Sequence, residues 1–243
     1  MIELLFFASA FAAEVLGTVA GFGSSTIFLP LALFFVDFRT ALVLVALFHI
    51  FGNLGRIAFF RHGLSKKMLM LFGVPSVVLT AIGALLVSYI HQDALKLVLG
   101  AFLLLFSLGS LARPGFNFRP TKENAVAGGA VSGFFAGLIG TGGALRAAFL
   151  NAFGLKKGVY IATAAAIALA VDVTRVPIYF GSGFLSPEFY WHIPLLLIVA
   201  LAGSYTGRKV VDKIPQKIFR KVVLVAIAAI SLKLVYDGVL FLL

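Results

Sequence analysis

Apolar runs fill almost the whole chain and constrain its fold more than any other feature. Ten such runs can be drawn, at residues 3–20, 24–36, 40–60, 68–90, 94–112, 124–139, 143–155, 158–180, 189–207 and 217–241. A helix that crosses a bilayer needs about 20 mostly apolar residues, so the 243-residue chain has room for eight to ten passes. Its 12% of charged residues is about half the share in soluble proteins. We predict an all-α integral membrane protein with no soluble catalytic domain.

Several classes of function are excluded by what the sequence lacks. It has no cysteine, and its histidines, His49, His62, His91 and His192, form no metal-binding pair. There is neither a Walker loop nor a dinucleotide-binding glycine motif. We therefore expect no cofactor and no enzymatic activity. The net charge of +11 does not predict a nucleic-acid partner, because the basic residues lie in short gaps between apolar runs, as positive-inside anchors do.

The first apolar run is interpreted as part of the mature fold. The stretch Ala8-Ser9-Ala10 resembles a signal-peptide cleavage site, but the start, Met1-Ile2-Glu3, is acidic where a signal peptide is basic.

Two short runs predict an internal repeat. The 24–36 and 143–155 runs reach only about 20 Å as helices, against a hydrocarbon core of about 30 Å. Both follow a glycine-rich break, Gly21-Phe22-Gly23-Ser24-Ser25-Thr26 or Gly140-Thr141-Gly142-Gly143. A shift of 119 residues superposes the breaks and places Asn53 on Asp172, Arg56 on Arg175 and Pro75 on Pro194. We predict a first repeat over 1–112, a linker over 113–122 and a second repeat over 123–243.

Loop charges indicate that the two repeats are inverted. The basic loop 61–67 corresponds to the uncharged loop 181–187, whereas 90–96 is poor in positive charge and its counterpart 208–221 is strongly basic. Basic loops face the cytoplasm, which puts 61–67, 113–122, 156–157 and 208–217 inside and both termini outside. Each repeat would then contain a broken or re-entrant hairpin followed by three transmembrane helices. Inverted repeats with interrupted helices are typical of secondary transporters, which bind substrate near the midplane.

The glycine breaks are candidate anion-binding sites. The short helix after each break presents free backbone N–H groups and a positive dipole end. The residues we assign to this site are Gly21, Gly23, Ser24, Ser25, Thr26, Gly140, Thr141, Gly142 and Gly143. The upstream glycines, Gly17 with Gly21 and the set Gly129, Gly133 and Gly137, have the spacing of close helix packing.

Arginines inside the third span of each repeat are the second candidate element. His49, Asn53 and Arg56 share one helical face, on which Asp172 and Arg175 lie in the second copy. An arginine within a span costs about 2.5–3.5 kcal/mol, and its planar fork suits an oxyanion. Alternatively, Arg56 reaches the interface with its charged end.

Three further residues leave alternatives open. Asp172, with His49, is a candidate for proton coupling, or Asp172 forms an ion pair with Arg175. Arg146 has Ile27 as its counterpart in the first copy, and it either adds a third positive charge near the anion or faces the cytoplasmic boundary.

The chain resembles the TauE/SafE family of sulfite and sulfonate exporters. The resemblance rests on the glycine-rich break that opens an apolar segment ending at Pro30, its repetition as Gly140-Thr141-Gly142-Gly143, the basic central linker and the chain length. It implies movement of small sulfur-containing anions, such as sulfite, sulfoacetate or other organosulfonates, across the bacterial inner membrane without ATP. The residues independently indicate an anion but not sulfur.

Export by alternating access is the leading hypothesis, with Arg56, Arg175 and the two helix N-termini around the anion. Efflux of one negative charge gains about 2.3 kcal/mol per 100 mV of inside-negative potential, so it needs no coupling ion. The alternatives are proton-coupled uptake of a small organic anion and a membrane sensor or scaffold without transport. We expect a small anion and the bilayer as partners, and a homodimer stays an option.

Overall fold

The computed structural model describes residues 2–20, 23–59, 63–113, 118–210, 213 and 216–242. Within these ranges the chain forms ten helices and no strand, which confirms the predicted all-α class with eight to ten helical segments. They are α1 Ile2–Ala20, α2 Ser24–Ala32, α3 Phe38–Phe59, α4 Lys66–Tyr89, α5 Gln92–Ala112, α6 Lys122–Ile139, α7 Gly143–Asn151, α8 Lys157–Gly181, α9 His192–Val210 and α10 Gln216–Leu242. Helix α4 contains a π-helical turn, Leu69–Gly73.

Seven of the described helices are long and apolar enough to cross a membrane: α1, α3, α4, α5, α8, α9 with the short turn before it, and α10. The chain is therefore a multi-pass membrane protein. Helices α2 and α7 have nine residues each, about 13 Å of helix, which is less than half of the hydrocarbon thickness. They are the two short segments that the sequence predicts, and both are shorter than their 13-residue apolar runs because the runs end in turns.

Helix bounds recur at the predicted offset of 119 residues. Helices α2 and α7 start at 24 and 143 and end at 32 and 151, α1 and α6 end at 20 and 139, and α3 and α8 start at 38 and 157. The helix contacts follow the same offset. Helix α1 packs on α9, and their counterparts α6 and α4 pack on each other. The corresponding helices α3 and α8 are also in contact, and so are α5 and α10. The inverted orientation of the halves in a bilayer and the boundaries of the repeats stay predictions.

Glycines in α6 allow its backbone to lie against that of α4. A Cβ atom at Gly129, Gly133 or Gly137 would overlap the backbone of α4. This close approach allows hydrogen bonds between the two helices. Ser76 Oγ on α4 donates to the Gly129 carbonyl at 2.9 Å, and Thr80 Oγ1 donates to the Gly133 carbonyl at 3.0 Å. The packing role predicted for these glycines is confirmed. Gly17 has a similar role, because a Cβ there would lie 2.5 Å from the backbone nitrogen of Ser24 at the start of α2.

Candidate functional site

The first glycine break brings the start of α2 next to α3. Gly23 has φ of +83° and ψ of 144°, a conformation in the positive-φ region that favours glycine. A Cβ atom at Gly23 would lie 3.4 Å from Nε2 of His49 and 3.7 Å from Nη2 of Arg146. No described side chain caps the N-terminus of α2, so its N–H groups are not satisfied in that way. Ser24 and Ser25 are buried there, and Gly21 lies outside the described residues.

The second break reaches the first one. Gly140 ends α6 in the left-handed conformation, and Gly142 precedes α7. The carbonyl of Gly142 accepts a 2.8 Å hydrogen bond from Ser132 Oγ. Thr26 Oγ1 and Thr141 Oγ1 lie 2.9 Å apart and are buried, which joins the start of α2 to the second break. The structure therefore places the two breaks side by side in one buried site.

Arg56 is held by four different side chains. Its Nη2 lies 2.6 Å from Oε1 of Glu14 on α1. Its other hydrogen bonds go to Thr18 Oγ1 at 3.1 Å, Asn53 Oδ1 at 3.0 Å and Ser24 Oγ at 3.3 Å. With 6% of its surface exposed, Arg56 does not reach the interface, so that alternative is wrong. Its charge is balanced inside the protein by Glu14.

Arg175 is paired with the acid one turn before it on α8. Its Nη2 and Nε lie 2.7 and 2.9 Å from Asp172 Oδ1, and its Nη1 donates to the Ala136 carbonyl at 2.8 Å. The other Asp172 oxygen, Oδ2, lies 2.8 Å from Nδ1 of His49 and accepts from the Asn53 amide at 3.4 Å. The ion pair with Arg175 is thus confirmed. Asn53, which contacts both Arg56 and Asp172, links the two networks.

Arg146 differs from both of these arginines. Its side chain is buried, with 6% of the residue exposed, and its position relative to the cytoplasmic boundary stays a prediction. Its guanidinium makes no ion pair or hydrogen bond with another described residue, while its backbone nitrogen bonds the Gly142 carbonyl as part of α7. It lines a cavity of about 40 Å³ together with Gly17, Thr18, Gly23, Asn53, Arg56, Gly143, Ala147, Tyr160, Ile161, Ala164 and Ala165.

The cavity is therefore electropositive. The buried cluster contains three guanidinium groups, from Arg56, Arg146 and Arg175, and two carboxylates, from Glu14 and Asp172. With His49 neutral, the formal sum is +1 across this cluster of described residues. Both short helices also direct their N-termini to the cavity, through Gly23 and Gly143, and a helix N-terminus favours negative charge. The arrangement can hold a small anion.

Glu14, the partner of Arg56, is a site residue that the sequence-based predictions did not include. Glu14 is fully buried; its Oε1 also accepts from Ser204 Oγ at 2.6 Å, and Gly52 and Gly203 pack against it. A signal was present, because a carboxylate in the middle of an apolar run is rare and marks a functional position. No sequence feature marked Thr18 or Tyr160 in this way, because they line the cavity only through the packing of α1 and α8.

The fold and the site together define a class: a multi-pass membrane protein with broken helices around a buried, positively charged cavity. The family model "Sulfite exporter TauE/SafE" matches residues 5–234, and the chain belongs to this family. Members of the family are membrane transporters, so the chain is a transporter and not an enzyme. Neither a curated protein nor a solved structure matches the chain.

Proposed function

We propose that the protein exports a small sulfur-containing oxyanion, sulfite or an organosulfonate such as sulfoacetate, across the bacterial inner membrane by alternating access of its two halves. The observation that carries this proposal is the state of Arg146, a buried arginine that lines the cavity without an acidic partner among the described residues. A buried charge is costly unless it is paired. An anionic substrate supplies the missing partner.

Sulfur oxyanions fit the donors around the cavity. The planar guanidinium of Arg146 can donate two parallel hydrogen bonds to two oxygens of one anion. The N-termini of α2 and α7 each add about 0.3–1 kcal/mol of attraction, or up to about 2 when partly buried. The family supports sulfur as the central atom, because its model is described as a sulfite exporter.

In this proposal the role of Arg56 and Arg175 differs from the anion binding that the sequence predicts for them. Because Glu14 and Asp172 already balance their charges, we assign them to positioning. Arg56 holds Ser24 and Asn53 at the cavity wall, and Arg175 holds Asp172 against His49. Arg146 is then the residue whose charge is left for the substrate.

Export is the favoured direction on energetic grounds. Each negative charge that leaves an inside-negative cell gains about 2.3 kcal/mol per 100 mV. The positive-inside reading of the loops puts both termini on the periplasmic side.

Flux of sulfite and sulfoacetate from loaded proteoliposomes tests the proposal. We expect Arg146→Gln to lower flux at least 30-fold, because truncating a buried charge partner costs about 2–5 kcal/mol. Arg113→Gln removes an exposed arginine and is the matched control, with flux near that of the unmodified protein. Equal flux in the two variants would contradict the role of Arg146, and no flux of either anion in any protein would contradict the proposed substrates.

A further inference from the structure

One ring nitrogen of His49 has neither a hydrogen-bond nor an ion-pair partner in the described part of the chain. Nε2 of His49 is buried, as His49 is 2% exposed, and it accepts or donates no hydrogen bond there. It is adjacent to the start of α2, because a Cβ atom on Gly23 would lie 3.4 Å away. The same position is 3.7 Å from Arg146 Nη2. Buried polar atoms are almost always hydrogen-bonded, so this nitrogen is placed to meet a bound group.

A short contact with a carboxylate assigns the proton of neutral His49 to its other ring nitrogen. Nδ1 lies 2.8 Å from Asp172 Oδ2, and an ionised carboxylate can only accept. Arg175 keeps Asp172 ionised through contacts at 2.7 and 2.9 Å. Neutral His49 therefore presents a bare lone pair at Nε2, which repels the oxygen of an anion. Contact between Nε2 and an oxyanion requires a proton between them.

The charges around His49 define how much negative charge the site accepts. The charged groups that face it are Asp172 and Arg175 on α8, Arg146 on α7 and Arg56 on α3, with Glu14 on α1 behind Arg56. Helix α9 contributes the uncharged Ser204. The formal sum is +1 with neutral His49 and +2 with protonated His49. A doubly charged anion is thus matched by the protonated form.

We infer that a doubly charged sulfur oxyanion binds together with one proton, which resides on Nε2 of His49 and forms the hydrogen bond to the anion. The inference rests on the proposed function and adds to it a proton per dianion. The proton comes from solvent when the anion binds and returns to solvent when it leaves, so no other reactant is needed. Each transport cycle then moves one net negative charge for each dianion.

Sulfate is the probe of choice, because it is a small sulfur oxyanion, with one oxygen more than sulfite, and it stays doubly charged throughout the neutral pH range. Its affinity for the purified protein is measured by calorimetry between pH 6 and 8.5, with sulfite as a second anion. At pH values where His49 of the empty protein is neutral, sulfate binding that takes up one proton becomes about tenfold weaker for each unit by which the pH rises. Heats measured in buffers of different ionisation enthalpy should give close to one proton taken up per sulfate in the unmodified protein.

Two variants separate His49 from other groups. His49→Gln provides a hydrogen-bond donor at the position of Nε2 without titrating, so we expect its sulfate affinity to be independent of pH. His192→Gln removes another buried histidine, 3% exposed and paired with Glu3, and should keep the tenfold slope.

Three results would overturn the inference. They are a sulfate affinity of the unmodified protein that does not change with pH, a slope that persists in His49→Gln, and binding of sulfite without binding of sulfate at pH 6. If neither anion binds at any pH, the proposed function itself fails, and the inference fails with it.

Discussion

Arg56 and Arg175 contrast with Arg146, although all three belong to one buried cluster and both Arg56 and Arg146 line the cavity. Arg56 and Arg175 have carboxylate partners at 2.6 and 2.7 Å, while the Arg146 guanidinium faces the cavity without one in the described chain. A paired buried arginine stabilises the arrangement of the helices that supply its partners, whereas a buried arginine without an acidic partner is a cost to the empty protein. In the proposed function, the contrast separates the arginines assigned to positioning, Arg56 and Arg175, from Arg146, which is assigned to the anion.

The two paired arginines obtain their partners in different ways. They occupy equivalent positions, 119 residues apart, yet Glu14 comes from α1, 42 residues before Arg56, and Asp172 lies three residues before Arg175 on the same helix. The first pair therefore joins two helices, and the second is local to α8. At the offset of 119 residues the arginine and its charge balance recur, but the source of the balancing charge differs.

The largest expected effect follows from removal of a partner carboxylate. Glu14→Gln leaves Arg56 with an uncompensated charge, and we expect a loss of about 3–5 kcal/mol in the free energy of unfolding. Thermal unfolding in detergent measures it. Asp237→Asn is the matched control, since it breaks an exposed ion pair with Lys233 that is worth less than about 1 kcal/mol. Equal losses in the two variants would show that the Glu14 pair does not stabilise the fold.

Removal of both members of the pair should cost less than removal of one. The double variant Glu14→Gln with Arg56→Gln leaves no uncompensated charge. We therefore expect its free energy of unfolding to be at least about 1 kcal/mol higher than that of Glu14→Gln alone, which is within the range of coupling energies between residues in contact. A double-mutant cycle of unfolding free energies measures this coupling. Strictly additive losses would contradict the pairing and assign the two side chains separate roles.

A pair of glycines tests where the anion lies. Gly23 and Gly63 have φ of +83° and +89°, so an alanine at either position costs about 1–3 kcal/mol in backbone strain. The new Cβ at Gly23 approaches His49 and Arg146, whereas a Cβ at Gly63 has no atom of the described residues within 4 Å. We expect both variants to lose similar stability and only Gly23→Ala to bind sulfite more weakly. Unchanged sulfite affinity in Gly23→Ala would place the anion elsewhere.

The smallest effect concerns the contact between the breaks. Thr26→Val removes one hydroxyl of the buried pair with Thr141, which should cost about 0.5–1.5 kcal/mol of stability. Thr206→Val is a suitable control, because the Thr206 hydroxyl makes an exposed hydrogen bond within its own helix, to the Ala202 carbonyl. A loss in Thr26→Val no larger than in Thr206→Val would show that the two breaks are held together by other contacts.

Much of the fold follows from local sequence features. Apolar runs predict the ten helices of the described residues, and the glycine breaks predict the starts of α2 and α7, because neither run length nor a glycine pattern depends on packing. The shared face of His49, Asn53 and Arg56 follows from helical periodicity. The family resemblance, carried by the same breaks, is confirmed by the match over residues 5–234.

The electrostatic character of the site could be determined only from the three-dimensional structure. Whether an arginine is paired depends on groups far away in sequence, as Glu14 is from Arg56, and on the absence of such groups around Arg146 in the described chain. Spacing within α3 and α8 therefore pointed to Arg56 and Arg175 as the anion ligands, since they repeat, and left Arg146 undecided, since it does not.

The most direct test compares the unfolding temperature of Arg146→Gln and the unmodified protein, each with and without sulfite. The variant relieves a buried charge, so its unfolding free energy without sulfite should be higher by about 1 kcal/mol or more. Sulfite at 100 times its dissociation constant should stabilise the unmodified protein by about 2.7 kcal/mol and leave the variant unchanged. An Arg146→Gln protein that is less stable than the unmodified one, and still stabilised by sulfite to the same extent, would contradict the assignment of Arg146 as the anion-binding residue.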